Sequence, residues 1–174
     1  MNIEKAIQTA IEYEIKVRDV YKDAEIKATS PVGKRVFNVL VLEEQKHLDY
    51  LENRLQEWQS TGKVRVEKLD TAIPSKDAIN SEVTKLQTKL QPGDSDKKYS
   101  DVELQMLKKA LEVEIETSEF YKKLVAELPK PDQELFKRFV EIEEGHKAIV
   151  QAEIDSVTGL GYWFDMPEFR FESG

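Results

Sequence analysis

The chain repeats itself once, and the repeat limits what it can fold into. AIEYEIKVRDVY at 10–21 aligns with ALEVEIETSEFY at 110–121, and VFNVLVLEEQKH at 36–47 aligns with LFKRFVEIEEGH at 135–146. The offset is 100 residues in the first match and 99 in the second. A period this long, used twice, marks duplication of a helical hairpin and not a solenoid of short units. Each second segment ends in Glu-x-x-His, as Glu44–His47 and Glu143–His146, and these hold both histidines of the chain. A bundle with a pseudo-two-fold axis follows.

Apolar side chains recur with a helical period in four stretches. Residues 2–29 carry Ile3, Ile7, Ala10, Ile11, Val17 and Tyr21; residues 31–58 carry Val36, Phe37, Leu40, Val41, Leu48, Leu51 and Leu55. Ser30 before Pro31 reads as an N-cap with proline at the first helical position. The third helix, 101–128, opens on Ser100-Asp-Val-Glu103, a capping box, and closes at Leu128-Pro129. The fourth starts near Pro131-Asp132 and runs to about Thr158, where Gly159 suits a C-terminal cap. Between the pairs lies a connection of roughly 60–99, with a shorter helix at about 75–90 started by Pro74-Ser75 and stopped by Pro92-Gly93. The expected fold is all-α: an antiparallel four-helix bundle, built from two duplicated helix pairs, with one long crossover that contains a short helix. The bundle is expected to be one domain over 1–158, followed by a tail at 159–174.

Composition supports helices and narrows the function. Charged residues make up 34% of the 174 and apolar ones 40%, with 7 Gly and 6 Pro, a mixture that favours amphipathic helices. The longest apolar run, VFNVLVL, is too short to cross a bilayer, and the charged start MNIEKAIQTA does not read as a signal peptide. A cytoplasmic location is expected, and no membrane partner. With no cysteine, disulfides, Cys-ligated zinc, iron–sulfur clusters and thiol catalysis within this chain are excluded. The net charge of −8 argues against nucleic acid, because phosphate binding needs basic patches.

One Glu-x-x-His in so acidic a chain would read as a solvated face, but the phase of the apolar stripe argues otherwise. Steps of three, four and seven from His47 reach Glu44, Leu40, Leu51 and Tyr50; from His146 they reach Glu143, Phe139, Ile142, Ile149 and Val150. Glu14 is bracketed by Ile7, Ala10, Ile11, Val17 and Tyr21, and Glu114 by Leu107, Ala110, Leu111 and Tyr121. Four carboxylates therefore face the core, where each unpartnered charge costs several kcal/mol. Protons, Lys or Arg, or metal can neutralise them. The stripes supply few cations, Arg18 and Arg54, both toward the edges. Two divalent ions would match four carboxylates in charge, and two imidazoles would complete the donor set. Mixed imidazole and carboxylate donors suit iron or manganese, with zinc as the main competitor.

The pattern Glu14-x6-Tyr21, Glu44-x-x-His47, Glu114-x6-Tyr121, Glu143-x-x-His146 resembles the ferritin-like diiron superfamily, and within it the rubrerythrins, over about residues 1–155. The resemblance implies two iron ions held by Glu14, Glu44, His47, Glu114, Glu143 and His146, with Tyr21 and Tyr121 bonded to ligand carboxylates of the opposite half. It implies an oxidoreductase that reduces hydrogen peroxide or oxygen, a separate electron-donor protein such as a rubredoxin, and a homodimer or larger homo-oligomer. Two departures stand out. The four-cysteine, rubredoxin-like iron site of typical rubrerythrins is missing, and the extra glutamate one turn after the third-helix ligand is replaced by Thr117. The remaining four-Glu, two-His set is more like the centre of bacterioferritin. A ferroxidase is therefore an alternative, as is a metal-binding bundle without turnover. The tail GLGYWFDMPEFRF at 159–171 has no period; it either folds back over the bundle or docks another subunit or partner.

Overall fold

The computed structural model describes residues 1–89, 99–161 and 163–164. Its helices are α1 (Ile3–Lys27), α2 (Pro31–Thr61), α3 (Lys76–Lys89), α4 (Asp101–Glu127) and α5 (Lys130–Gly159). Short links at 28–30 and 128–129 fold α1 back on α2 and α4 back on α5. The two hairpins meet through α1 and α4, and α3 packs against α5. This is a ferritin-like four-helix bundle with a short crossover helix.

Local chemistry places the helix ends. The Ser30 side chain accepts from Gly33 N–H with Pro31 at the first turn, and Ser100 and Glu103 form the reciprocal capping box. Helix α2 runs to Thr61, a little past the expected 58, and stops at Gly62 in the left-handed conformation (φ 67°). The expected cap at Gly159 is displaced. Gly159 is still helical and Leu160 is the C-cap, while the left-handed residue is Gly161 (φ 80°); the N–H groups of Leu160 and Gly161 both bond the Ser156 carbonyl. The expected stop of the crossover helix at Pro92-Gly93 lies outside the described residues.

The core is divided in two. One apolar cluster joins Val17, Tyr21, Phe37, Leu40, Leu107, Ala110, Val113, Ile149 and Val150. The other joins Ile7, Ala10, Leu51, Tyr121, Leu124, Phe136, Phe139 and Ile142. On every long helix the polar residues of interest fall between these two sets. Each side of that polar layer is sealed by large, fully buried side chains, notably Tyr21, Tyr121, Phe37, Phe136 and Phe139, so water is excluded from both ends.

The first part of the crossover is an extended strap. Leu69 and Ile73 are buried, and backbone carbonyls of Arg65, Glu67 and Leu69 accept from Arg54, Tyr50 and Arg138. The strap passes so close to α5 that a Cβ at Gly145 would sit 2.8 Å from the Pro74 carbonyl oxygen. Glycine is required there by contact, one residue before His146. In the tail, Trp163 and Phe164 are buried against the bundle: the indole meets Phe37 edge-on at 5.4 Å, and Phe164 N–H donates to Glu153 (3.0 Å). For these two residues the folded-back arrangement holds. The rest of the tail, including Tyr162, Phe169 and Phe171, lies outside the described residues.

Candidate metal centre

Helix α1 contributes Glu14, α2 contributes Glu44 and His47, α4 contributes Glu114, and α5 contributes Glu143 and His146. All six have no solvent exposure. Each sits on its helix's apolar stripe, so packing that stripe into the bundle carries the polar group inward with it. The structure thus brings together the six residues of the Glu/His pattern.

The arrangement is nearly symmetrical about the two histidines, whose rings stack with centroids 5.2 Å apart. His47 Nδ1 lies 3.1 Å from Glu14, 3.0 Å from Glu44 and 3.5 Å from Glu143. His146 Nδ1 lies 2.7 Å from Glu44, 3.7 Å from Glu114 and 4.0 Å from Glu143. Glu44 and Glu143 therefore approach both imidazoles, while Glu14 attends only His47 and Glu114 only His146. The tyrosines cross between halves: Tyr21 O–H donates to Glu114, and Tyr121 O–H donates to Glu14. Exchange of i–j for j–i is the signature of a two-fold relation. Lys16 pairs with Glu116, its own counterpart one repeat away, where that axis crosses between α1 and α4.

Buried charges at this density perturb one another. Burial raises Glu14 from 4.5 to about 7 against the opposing pull of His47. Burial, then the charge of Glu44, raises Glu114; burial, then the charges of Glu14, Glu114 and Glu44, raises Glu143 well above its ordinary value. Glu44 goes the other way: burial pushes it up, but His146 and His47 outweigh that and hold it well below the usual carboxylate range. For His47 burial pushes downward and is overcome by Glu14 and Glu44; His146 is likewise raised, chiefly by Glu44. Burial beside carboxylates raises both tyrosines well above 10, so they stay protonated donors.

Neither arginine of the apolar stripes neutralises this cluster. Arg54 is buried but turns to Glu57, Glu67 and the Arg65 carbonyl, and Arg18 turns to Asp19 and Gln45. Both oxygens of Glu143, and Glu114 Oε2, are buried without a hydrogen bond. Unpaired buried carboxylate oxygens are expensive unless something positive meets them. Ligand atoms of Glu14, Glu44, His47 and Glu143 lie within 4.8 Å of one another, as do those of Glu44, Glu114 and His146. Two overlapping groups of oxygen and imidazole donors fit metal ions, in an arrangement suited to a dinuclear site.

Three further glutamates are buried, Glu43, Glu103 and Glu153, of which the sequence singles out only Glu103, as a cap. Glu103 doubles as the capping-box acid, and Glu153 receives the tail. Glu43 was legible in principle, since it stands three residues after Leu40 and four before His47, within the same stripe. Its oxygen and one ring nitrogen of each histidine also fall within 4.8 Å of one another.

The family model described as Rubrerythrin matches residues 5–154, from the first helix to the last turns of α5 and through every residue of the cluster. A search of curated proteins and a search of solved structures each found no match. No helix among the described residues is long and apolar enough to cross a membrane. Fold, buried Glu/His cluster and family match converge, and the chain belongs to the rubrerythrin family.

Proposed function

We propose that this protein is a non-haem diiron oxidoreductase of rubrerythrin type that reduces hydrogen peroxide, or oxygen, with Glu14, Glu44, His47, Glu114, Glu143 and His146 as its metal ligands. The observation that carries the reading is the fully buried set of four carboxylates and two imidazoles, with oxygens of Glu143 and Glu114 left without a protein donor. Glu44 and Glu143, which approach both imidazoles, would serve both metal positions, while Glu14 with His47, and Glu114 with His146, would serve one each. Two iron(II) ions there would supply the two electrons that cleave the O–O bond of peroxide, and a separate donor protein such as a rubredoxin would restore them.

The remaining work falls to the chain. Tyr21 and Tyr121 each fix one oxygen of a carboxylate by donating to it; the other oxygen of Glu14 faces His47 Nδ1, and the other oxygen of Glu114 is buried without a hydrogen bond. Their raised pKa keeps the phenolic proton in place, so each serves as an orienting donor and not as a base. Phe139, edge-on to His47 at 5.5 Å, together with the two apolar clusters keeps bulk water away. A small oxidant is thus favoured over a bulky substrate.

One observation favours a second reading, a ferroxidase. Thr117 faces inward, 1% exposed, with its hydroxyl bonded to the Val113 carbonyl (2.8 Å), so α4 offers no seventh carboxylate at that turn. A metal-binding bundle without turnover is the reading that remains if neither reaction occurs. Stopped-flow mixing of the anaerobically iron(II)-loaded protein with peroxide, oxygen or excess iron(II) separates them. Oxidation by peroxide that outpaces oxygen is the expected result. Oxidation only with excess iron(II) and oxygen, or none at all, would replace the peroxidase reading.

A further inference from the structure

Beyond α2 the strap runs extended, with neither helix nor turn over 63–71, and its backbone faces two ways. In an extended strand the N–H and C=O of one residue point to one edge, and those of the next residue to the other. Arg65 N–H donates to Glu57, and the carbonyls of Arg65, Glu67 and Leu69 accept from Arg54, Tyr50 and Arg138. These residues direct their backbone groups at the bundle. Val64, Val66 and Lys68 turn theirs the other way, and among the described residues none of the three has a backbone hydrogen bond. That edge is open: Val66 is 55% exposed, and the side chains of Arg65, Glu67 and Lys68 are 73%, 54% and 81% exposed.

A row of unpaired N–H and C=O groups is a template for another extended strand. Basic side chains on such an edge ordinarily discourage pairing. Here the order of the charges selects a partner. Outward residues must pair with outward ones, so two copies of the strap related by a two-fold axis can meet antiparallel about residue 64, 65, 66, 67 or 68. Centring on 64 sets Lys63 against the partner's Arg65, and centring on 65 sets Arg65 against the partner's Arg65. Centring on 67 opposes Glu67 to the partner's Glu67, and centring on 68 opposes Lys68 to the partner's Lys68. Like charges directly opposite are destabilising. Only the register centred on Val66 avoids them. It sets Val66 against the partner's Val66 and Arg65 against the partner's Glu67, at the non-hydrogen-bonded positions where side chains approach most closely. Arg65 and Glu67 already lie 3.9 Å apart within one chain, so the four side chains would close a ring of alternating charge.

We infer that the strap over 63–69 is an interface for a second copy of this chain, which it meets as an antiparallel two-stranded ribbon centred on Val66. Val66 exchanges both backbone bonds with its counterpart, and Val64 does so with the partner's Lys68. Strands this short make a small contact, so the association is weak and is seen at high protein concentration. The strap continues to Thr71 and Ala72, which bond Glu43, and to Pro74 over Gly145. The ribbon thus anchors the segment that lies against α2 and α5 beside the candidate metal centre, and it does not depend on which metal or reaction that centre supports.

The chain has no cysteine, so one introduced thiol reports on the contact. Full-length Val66→Cys and Asp70→Cys are treated with a short bis-maleimide at rising protein concentration, and crosslinked dimer is measured. Both positions are exposed. In the ribbon the paired Cα atoms at 66 lie about 5.5 Å apart, whereas those at 70 lie about 27 Å apart. Val66→Cys should therefore crosslink faster than Asp70→Cys by about 10-fold or more. Val66→Pro removes the outward N–H at the centre of the ribbon and leaves Arg65, Glu67 and the inner bonds in place. In sedimentation velocity it should weaken self-association about 10- to 100-fold, for two backbone bonds lost. A wild type that stays monomeric at millimolar concentration, equal crosslinking at 66 and 70, or a folded Val66→Pro that associates like wild type would overturn the inference. If Val66→Pro does not fold, the two cysteine variants decide. None of these outcomes touches the dinuclear reading, which stands or falls on metal content.

Discussion

The two helix pairs agree closely at the centre and diverge one layer out. Glu14, Tyr21, Glu44 and His47 have counterparts in Glu114, Tyr121, Glu143 and His146, all fully buried and cross-bonded in the same sense. Outside that layer the correspondence ends. Glu43 opposes Ile142, Val17 opposes Thr117, and Lys46 opposes Gly145, where α5 must admit the strap at Pro74. Tyr21 backs onto Phe37, which in turn meets Trp163 of the tail, whereas Tyr121 backs onto Phe120, Phe136 and Phe139. The difference teaches what constrains each layer. Six residues proposed to share two metal positions would have to match in both halves, while the residues behind them need only fill whatever space each half leaves.

The sharpest way to break the comparison is to remove a carboxylate that approaches both imidazoles from either half. Glu44→Ala and Glu143→Ala should each abolish most metal loading, and to a similar degree, because each residue approaches both imidazoles. Exposed Glu52→Ala should load normally. Elemental analysis of the three variants after reconstitution checks this, and equal loading in all three would remove the site assignment.

Without metal the two halves should part company electrostatically. Glu44 and Glu143 are equivalents, yet Glu44 is held low by both histidines while burial drives Glu143 high. Raised carboxyls in the folded state favour protonation, so their contribution to stability is complete below 4.5. For Glu14 it is lost as pH rises from there through about 7. The raised histidines act in the same direction. Glu44, being lowered, loses its contribution only as pH falls below the ordinary carboxylate range. Metal-free protein should therefore melt lower at pH 7.5 than at pH 5.5. Metal bound at 100 to 1,000 times its Kd adds about 3–4 kcal/mol, so chelation at neutral pH should lower Tm by roughly 5–15 °C, and by less in mild acid. A melting temperature indifferent to chelator at both pH values would point away from a buried site.

A smaller effect sharpens the equivalence of the tyrosines. Each donates to a buried carboxylate of the other half, and such a bond contributes about 1.5–3 kcal/mol. Tyr21→Phe and Tyr121→Phe should each lower stability of the loaded protein by about that amount, agree with each other within about 0.5 kcal/mol, and keep two metals. Chemical denaturation with metal analysis measures both quantities. A cost confined to one tyrosine would show that the symmetry stops at the ligands.

How far the sequence foretold this follows the same division. Helix pairs, the crossover helix, the Ser30 and Ser100 caps and the inward turn of Glu14, Glu44, Glu114 and Glu143 were readable, because each depends on spacing along one helix. What was not readable depends on contact between distant segments. Gly145 looks like an ordinary weak helix residue until Pro74 lies over it. Arg54 is legible only as a cation toward the edge of its stripe, and the strap supplies its actual partners, Glu67 and the Arg65 carbonyl. Gly159 was the expected cap, but Leu160 still bonds Ser156 and the left-handed turn falls at Gly161. Glu43 was hidden beside Glu44 in a Glu-Glu doublet, since its burial depends on the bonds that Thr71 and Ala72 of the strap give its carboxylate.

The central claim is that the duplicated halves build one symmetrical dinuclear centre, and anomalous diffraction from crystals of the iron-loaded protein tests it most directly. The account predicts two iron peaks per chain, one between Glu14 and His47 and one between Glu114 and His146, with Glu44 and Glu143 bridging them. A single peak inside the bundle, or iron found only at surface carboxylates, would contradict it.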